Sequence, residues 1–138
     1  MTQEQKQFLT NILKQNNMPL IVEGVSSVNF PTAVVVPATI NSAELGVIPT
    51  EYGIDYPLWL QEIIKKSKKS KNVLLAIDGL ENISFEEQEK FYGIIKYNGV
   101  NGLKFPENTQ IVIPVNKPIE TTISKKIRSL CINYKVDR

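Results

Sequence analysis

The 138-residue chain contains no histidine and only one cysteine. Without histidine it lacks the side chain that most often acts as a general base, activates a nucleophile or ligates zinc and copper. The single cysteine, Cys131, cannot form a disulfide within the chain, and its apolar neighbours Leu130 and Ile132 indicate a buried structural thiol. Catalytic triads and most transition-metal sites are therefore not expected. Any catalysis would have to use carboxylates, lysines or magnesium.

The sequence also lacks an apolar run of membrane-spanning length. Residues 2–7 are polar, whereas a signal peptide needs an apolar stretch. We therefore expect a cytoplasmic protein that does not contact a membrane. Apolar residues make up 42% of the chain and charged residues 22%, with a formal net charge of +2, a balance typical of a soluble globular protein. The length predicts a single domain over residues 1–138.

The clearest local pattern is the apolar run Val73–Ile77, which ends at Asp78. Five apolar residues after a polar stretch predict a strand that is buried on both faces of a parallel sheet. An acidic residue at the carboxyl end of such a strand points into the crevice where open α/β sheets bind ligands. The sequence Ser84-Phe85-Glu86-Glu87 is a capping box, so a helix is predicted to begin directly afterwards.

Apolar spacing elsewhere predicts further helices and strands. Leu58, Leu60, Ile63 and Ile64 are expected to form the apolar side of a helix that Asp55 caps. Pro114 would remove a hydrogen-bond donor from its strand, so we expect a bulge or a water there. The predicted helices cover residues 2–16, 55–65, 85–97 and 121–129, and the predicted strands cover residues 19–23, 33–36, 73–77, 109–115 and 130–136.

The octet Gly24–Pro31 follows the first predicted strand and can be compared with the phosphate-binding pattern G-x-x-x-x-G-K-[ST]. It keeps the first glycine, but Asn29, Phe30 and Pro31 occupy the three chemical positions. Phe30 has no ammonium group for phosphates, and Pro31 offers neither a magnesium-binding hydroxyl nor a backbone N–H. A decayed phosphate loop and an ordinary turn are equally compatible with this sequence. Only Thr32 separates the octet from the next strand, so no helix fits between them.

The apolar strand, Asp78, the short loop and the capped helix together resemble the Walker B region of AAA+ proteins, particularly the MoxR-like branch of the P-loop NTPases. Glu44-Leu45-Gly46 and residues 103–108 are similar to further segments of that family, and Asn116 matches its sensor 1 position. The resemblance runs from about Pro19 to Val136. It implies a three-layer α/β core with a mostly parallel five-stranded sheet in the order 5-1-4-3-2, the strands being numbered along the chain.

The same resemblance implies a vestigial nucleotide crevice formed by Gly24, Asp78 and Asn116, in which Asp78 would be the metal ligand if magnesium were bound. Gly79 stands where the family has its catalytic glutamate. Glu81, two residues further on, would leave on a different trajectory and is a poor substitute. The helical lid of the family is missing from the sequence. We therefore expect a degenerate domain that is not an enzyme and has no cofactor beyond vestigial ATP and magnesium.

This pattern predicts a non-catalytic interaction or scaffold subunit with a protein partner or a homo-oligomeric state. The lost helix would uncover part of one sheet face, so either the N-terminal helix or a second chain is expected to cover it. Two alternatives stay open: a residual ATP-binding protein or ATPase completed by a partner subunit, and a nucleic-acid accessory protein. The second would use the five lysines of Lys65–Lys71. It is disfavoured, because such lysines also complement a helix C-terminus and no aromatic residue or arginine lies among them.

Overall fold

The computed structural model describes residues 2–15 and 18–136. Five strands form one sheet in which every pair of neighbours is parallel. They are β1 (Leu20–Glu23), β2 (Val34–Pro37), β3 (Val73–Asp78), β4 (Thr109–Val115) and β5 (Ile132–Lys135). The α/β class with a five-stranded parallel sheet is thus confirmed, and the strands lie in the order β2-β3-β4-β1-β5.

Four further strands, which the sequence did not predict, lie outside this sheet. They form two antiparallel hairpins, the 48–55 hairpin (Ile48–Thr50 with Gly53–Asp55) and the 99–104 hairpin (Gly99–Val100 with Leu103–Lys104). When the nine strands of the described residues are numbered along the chain, the sheet order is 2-5-8-1-9, which differs from the expected order 5-1-4-3-2. Counting the five sheet strands alone, the sheet reads 5-1-4-3-2 from the β5 edge.

Within residues 2–15 and 18–136, seven α-helices surround the sheet. They are α1 (Gln3–Gln15), α2 (Ser42–Leu45), α3 (Leu58–Ser67), α4 (Phe85–Gln88), α5 (Tyr92–Tyr97), α6 (Ile119–Thr122) and α7 (Lys125–Arg128). Residue 16, the last of the predicted first helix, lies outside the described residues. Ser84 accepts a hydrogen bond from the Glu87 N–H at 3.2 Å, so the predicted start of α4 is confirmed.

Three predicted helices differ from the observed ones. The prediction for residues 85–97 is interrupted by a 3-10 turn at Glu89–Phe91. The prediction for residues 121–129 is broken where Ile123 is extended and Ser124 caps α7 by accepting from the Ile127 N–H. Asp55 does not cap α3, because it is paired in the 48–55 hairpin. The helix begins three residues later, at Leu58.

The later start of α3 changes which side chains face the sheet. Trp59 is buried, and its indole N–H donates to the Glu44 carbonyl at 3.3 Å. Its ring meets Phe105 edge-on, with 5.8 Å between the ring centroids. Leu58, expected to face inward, is 81% exposed. A large apolar side chain is thereby left on the surface next to β2.

The two faces of the sheet are covered differently, because successive side chains of a strand point to opposite faces. Helices α3 and α5–α7 pack on one face, where Ile21, Leu75 and Ile113 are buried. The other face carries Leu20, Val22, Ala76 and Val112. It is covered by Leu9 of α1, together with Val25 and Phe30 from the loop after β1. The cover expected from the N-terminal helix is therefore present, and Phe30 contributes to it.

Pro114 does not produce the expected bulge. The β4 strand runs without interruption from Thr109 to Val115, and Pro114 pairs in register with Val22 of β1. On the other side, the pairing of β4 with β3 ends where Val112 of β4 lies opposite Ala76 of β3, two residues before the proline. Val115 directs its carbonyl to β1, where it accepts from Gly24. Since alternate residues face opposite neighbours, the missing Pro114 donor faces β3, which explains why that ladder ends early.

Two glycines give opposite predictions for an added methyl group. A Cβ on Gly99 would lie 2.3 Å from the Leu103 carbonyl oxygen, whereas a Cβ on Gly93 in α5 would meet nothing within 4 Å. We expect Gly93→Ala to raise the free energy of unfolding by about 0.5–1 kcal/mol, because alanine restricts the unfolded chain and favours helix. Gly99→Ala should lower it. Urea denaturation of both variants measures the difference, and equal shifts would contradict this account.

Candidate functional site at the carboxyl edge of the sheet

The three residues predicted for the crevice lie at the same edge of the sheet. Gly24 follows β1, Asp78 ends β3, and Asn116 follows β4, which lies between the other two strands. The Gly24 N–H donates to the Val115 carbonyl at 2.8 Å, so Gly24 lies beside the residue before Asn116. By alternation, Asp78 and Asn116 are on the face that carries Ala76 and the Gly24–Pro31 loop. The fold thus brings the three positions to one side of one edge.

Asp78 is half-buried at the end of β3. Its backbone carbonyl accepts a 2.7 Å hydrogen bond from the Ala38 N–H, which ties the ends of β2 and β3 together. No other described residue donates a hydrogen bond to its carboxylate. Among residues 2–15 and 18–136, no three Asp, Glu or Cys side chains are close enough to hold a metal ion. Magnesium at Asp78 would therefore have at most one further acidic side chain as a ligand.

Several backbone N–H groups of the loop from Gly24 to Pro31 form hydrogen bonds within the loop. The Ser26 N–H donates to the Asn29 side-chain oxygen at 3.0 Å, and the Asn29 N–H donates to the Ser26 carbonyl at 3.0 Å. The Phe30 N–H donates to the Ser27 carbonyl at 3.0 Å. Gly24 supplies the left-handed backbone conformation, with φ of 96°, that turns the chain out of β1. These contacts leave one 3-10 turn, Ser27–Asn29, where a phosphate-binding loop would open a long helix.

Phe30 occupies the position that aligns with the lysine of a phosphate loop. Its side chain is only 6% exposed, and it packs with Leu20, Val22 and Val112 on the sheet face. An aromatic side chain in this place contributes hydrophobic burial and offers no positive charge to a phosphate. Phe30 therefore stabilises the fold, and it stands at the sequence position where the phosphate-binding pattern has its lysine.

Two glutamates at this edge bind backbone N–H groups of the segment after β4. Glu81 lies in the 3-10 turn Leu80–Asn82, is 9% exposed, and accepts from the Asn116 N–H at 2.7 Å. Glu23, at the end of β1, accepts from the Ile119 N–H at 2.8 Å. Lys117 donates to the Asn82 side-chain oxygen at 2.8 Å and so joins the same two loops. The carboxylates thus hold the loops that surround the crevice.

The charges at this edge are unfavourable for a phosphate group. Glu23, Asp78 and Glu81 contribute three carboxylates where the strands β1 and β3 end. Of the lysines in this region, Lys117 is bonded to Asn82, and Lys135 forms an ion pair with Glu120. Carboxylates lining a cleft raise the energy of a bound polyanion unless cations offset them. Carboxylates outnumber lysines among these side chains, so their summed charge does not favour a polyanion.

Gln88 joins the loops behind the crevice, and sequence reasoning did not identify it. The side chain has no solvent exposure. Its amide nitrogen donates to the carbonyls of Thr122 and Leu80 at 2.8 and 3.1 Å, and its oxygen accepts from the Ser124 N–H at 2.9 Å. These bonds connect the turn after β3 with α6 and α7. The partners lie up to 36 residues away along the chain, so no local pattern could have revealed them.

Cys131 and two lysines of the lysine-rich segment, Lys65 and Lys66, have structural roles. The thiol is half-buried, and burial raises its pKa from 9.0 to about 12, which makes it a poor nucleophile. Lys65 and Lys66 lie in the last turn of α3, where they complement the helix dipole. The Lys66 ammonium also donates to the Thr32 carbonyl at 2.9 Å, just before β2.

Comparisons with known proteins add no family assignment. No protein-family model matches the sequence. A search of curated proteins likewise finds no significant match. Within the described part of the chain, no helix has both the length and the apolar character needed to cross a membrane. The resemblance to the MoxR-like branch therefore stays a prediction.

Replacing Gln88 by alanine should destabilise the protein strongly. The change leaves the carbonyls of Leu80 and Thr122 and the Ser124 N–H without their partner, and it opens a cavity in a fully buried place. We expect the free energy of unfolding to fall by about 2–4 kcal/mol. Gln61→Ala is the matched control, because Gln61 is exposed and donates one bond, to Tyr56. Urea denaturation that gave the two variants equal losses would contradict the role of Gln88.

The raised pKa of Cys131 predicts slow thiol chemistry in the folded protein. At mildly alkaline pH the folded thiol stays protonated, whereas the unfolded thiol, near its ordinary pKa, ionises in part. Reaction with a disulfide reagent should therefore be much slower in buffer than in urea. Above the ordinary pKa the folded state binds the extra proton, so stability should fall with rising pH more steeply than in Cys131→Ala. Equal reaction rates in buffer and urea would contradict the burial of the thiol.

Proposed function

We propose that this protein is a degenerate AAA+-like domain, with a three-layer P-loop NTPase-like core, that acts as a non-catalytic interaction or scaffold subunit. The observation that carries the proposal is the structure of the Gly24–Pro31 loop. The N–H groups of Ser26, Asn29 and Phe30 are bonded within the loop, and Phe30 is buried against the sheet. A loop in this state lacks the features that hold the phosphates of a nucleotide.

Phosphate binding at such a loop depends on free backbone N–H groups, a helix N-terminus and a lysine. In this chain the N–H groups of Ser26, Asn29 and Phe30 already have acceptors. The turn is three residues long and leads into β2 without a helix. The lysine position holds Phe30. The helix and the lysine are missing, and three of the loop's N–H groups are occupied, which supports loss of nucleotide binding over a merely altered specificity.

Hydrolysis would further require a metal and a carboxylate that aligns the attacking water. Gly79, in the left-handed conformation with φ of 84°, stands directly after Asp78 and has no side chain to supply it. Glu81 has its carboxylate bonded to the Asn116 N–H, so it is committed to the loop after β4. Pro31 has no hydroxyl for magnesium. These features support a role without catalysis.

The interaction role is supported by exposed apolar side chains. Large exposed apolar patches on a protein surface often mark sites that bind other proteins. Among the described residues, several such side chains fall in one part of the chain, namely Val35, Ile48, Tyr52, Ile54, Tyr56 and Leu58. They lie away from the crevice, on β2, the 48–55 hairpin and the start of α3. The chain thus combines a closed ligand loop with an apolar outer surface.

Titration calorimetry with ATP and magnesium tests the non-catalytic assignment. We expect no binding heat with millimolar nucleotide, because the loop offers phosphates neither a helix N-terminus nor a cation, and three of its N–H groups are occupied. Asp78→Asn is the matched variant, since it removes the carboxylate at the expected metal-ligand position and should leave the result unchanged. Micromolar binding that Asp78→Asn abolishes would overturn the proposal and support the residual ATPase instead.

A further inference from the structure

A groove of about 950 Å³ runs along the outer edge of β2. It lies between that edge, the 48–55 hairpin and the first turns of α3, and it is here called the β2 groove. Its exposed apolar walls include Val35, Ile48, Tyr56 and Leu58. The groove is separate from the crevice at the carboxyl edge, because it lies beside the outermost strand.

The β2 strand has an open edge. It is the first strand in the order β2-β3-β4-β1-β5 and pairs only with β3. Ala38 donates to Asp78 on the β3 side, so by alternation Val36 and Val34 also face β3, and Val35 faces outward. Pro37 also faces outward but has no N–H. The edge therefore presents the Val35 N–H and carbonyl to an added strand, whereas the Pro37 carbonyl already accepts from the Ile40 N–H at 3.0 Å.

The 48–55 hairpin has no core of its own. All six strand residues are exposed, including Ile48 and Ile54 at 48% and 56%. A two-stranded hairpin without a packed face has little stability in water. Ile48 and its pairing partner Asp55 both line the β2 groove. One face of the hairpin is thus turned toward a groove that none of the described residues fills.

The charged residues that line the β2 groove are all acidic. They are Glu44, Asp55 and Glu62, all three exposed, and no lysine or arginine lines the groove. This is notable in a chain whose formal net charge is +2. Electrostatic complementarity therefore favours an occupant with positive charge. The apolar walls require that the same occupant also carry apolar side chains.

We propose that the β2 groove binds an extended segment of a partner protein, with alternating apolar and basic side chains, which adds to β2 as a sixth strand of the sheet. The backbone of the segment bonds to Val35, and its apolar side chains pack on Leu58 and Ile48. Its basic side chains pair with Asp55 and Glu62. Addition of a strand to an open edge is a general mode of peptide recognition. This inference rests on the interaction role proposed above.

A second copy of the chain fits the groove less well than a different partner. Two copies that paired through β2 would bring the acidic residues of one groove against the same residues of the other, and like charges across an interface oppose association. At the opposite edge of the sheet, β5 packs Ile132 and Tyr134 against the core, and Lys135 is paired with Glu120. The chain therefore offers the groove no free strand with the required side chains.

Fluorescence anisotropy with a defined peptide tests the proposal. The probe is a fluorescein-labelled peptide of alternating valine and lysine, about six residues long, which is the usual length of a strand. We expect saturable binding to the wild-type chain and a loss of affinity on the order of tenfold in Leu58→Ser and in Glu62→Lys, the size expected when one well-placed contact is lost. Val28→Ser is the matched control, because Val28 is 82% exposed outside the groove.

Two further peptides test how the probe binds. A version with alternate backbone nitrogens methylated along one edge cannot bond to a strand, and it should not bind. A version with glutamate in place of lysine should not bind either. Binding of either peptide with the affinity of the probe would overturn strand addition or charge complementarity, respectively. Failure of the probe to bind the wild-type chain would overturn the proposal as a whole.

Light scattering of the chain alone distinguishes the other occupant. Concentration-dependent dimers that Leu58→Ser abolishes would show that a second copy fills the groove, and this would overturn the assignment to a different partner. The nucleotide titration is independent of both experiments. ATP binding together with normal peptide binding would overturn only the non-catalytic role. Absence of both kinds of binding would overturn only the proposal for the groove.

Discussion

A fully parallel sheet has to be covered on both faces, and this requirement explains the fate of the loop after β1. Helices α3 and α5–α7 cover one face. On the other face no helix follows the loop, and Phe30 packs beside Leu9 of α1 on Leu20, Val22 and Val112. A side chain that fills this gap cannot also bind a phosphate. The loop after β1 therefore contributes a side chain to the cover of this sheet face.

The crevice keeps its form because the chain satisfies its backbone groups with its own side chains. Buried N–H groups need acceptors, and those of Asn116 and Ile119 obtain them from Glu81 and Glu23. Gln88 does the same for Ser124. A domain that bound nucleotide would direct some of its polar groups at the ligand. Here Glu23, Glu81 and Gln88 bond the loops to each other.

The sequence was most informative where burial is continuous. Apolar runs such as Val73–Ile77 predicted the strands, and the family resemblance supplied their order. The predicted helix limits were less accurate. The Ser124 N–H donates to Gln88, and Asp55 pairs with Ile48 in the hairpin. Neither contact can be read from local helix propensity. The 48–55 hairpin was missed, since short exposed strands that include Pro49 have no alternating pattern. The roles of Glu81 and Gln88 depend on partners about 35 residues away, which no motif records.

Edge strands expose backbone donors and acceptors, and proteins limit this exposure to avoid indiscriminate pairing. In β2 the limits are visible: the strand has four residues, and Pro37 removes one of its outward N–H groups. The acidic residues around the groove repel further copies of the same edge, but they attract a basic segment. The negative charge around the groove thus opposes self-association and favours the proposed basic partner. Protection against self-association alone would not require exposed Leu58 and Ile48 beside the edge. Acidic residues together with these apolar side chains are what a strand edge that binds a basic partner, as proposed above, would need.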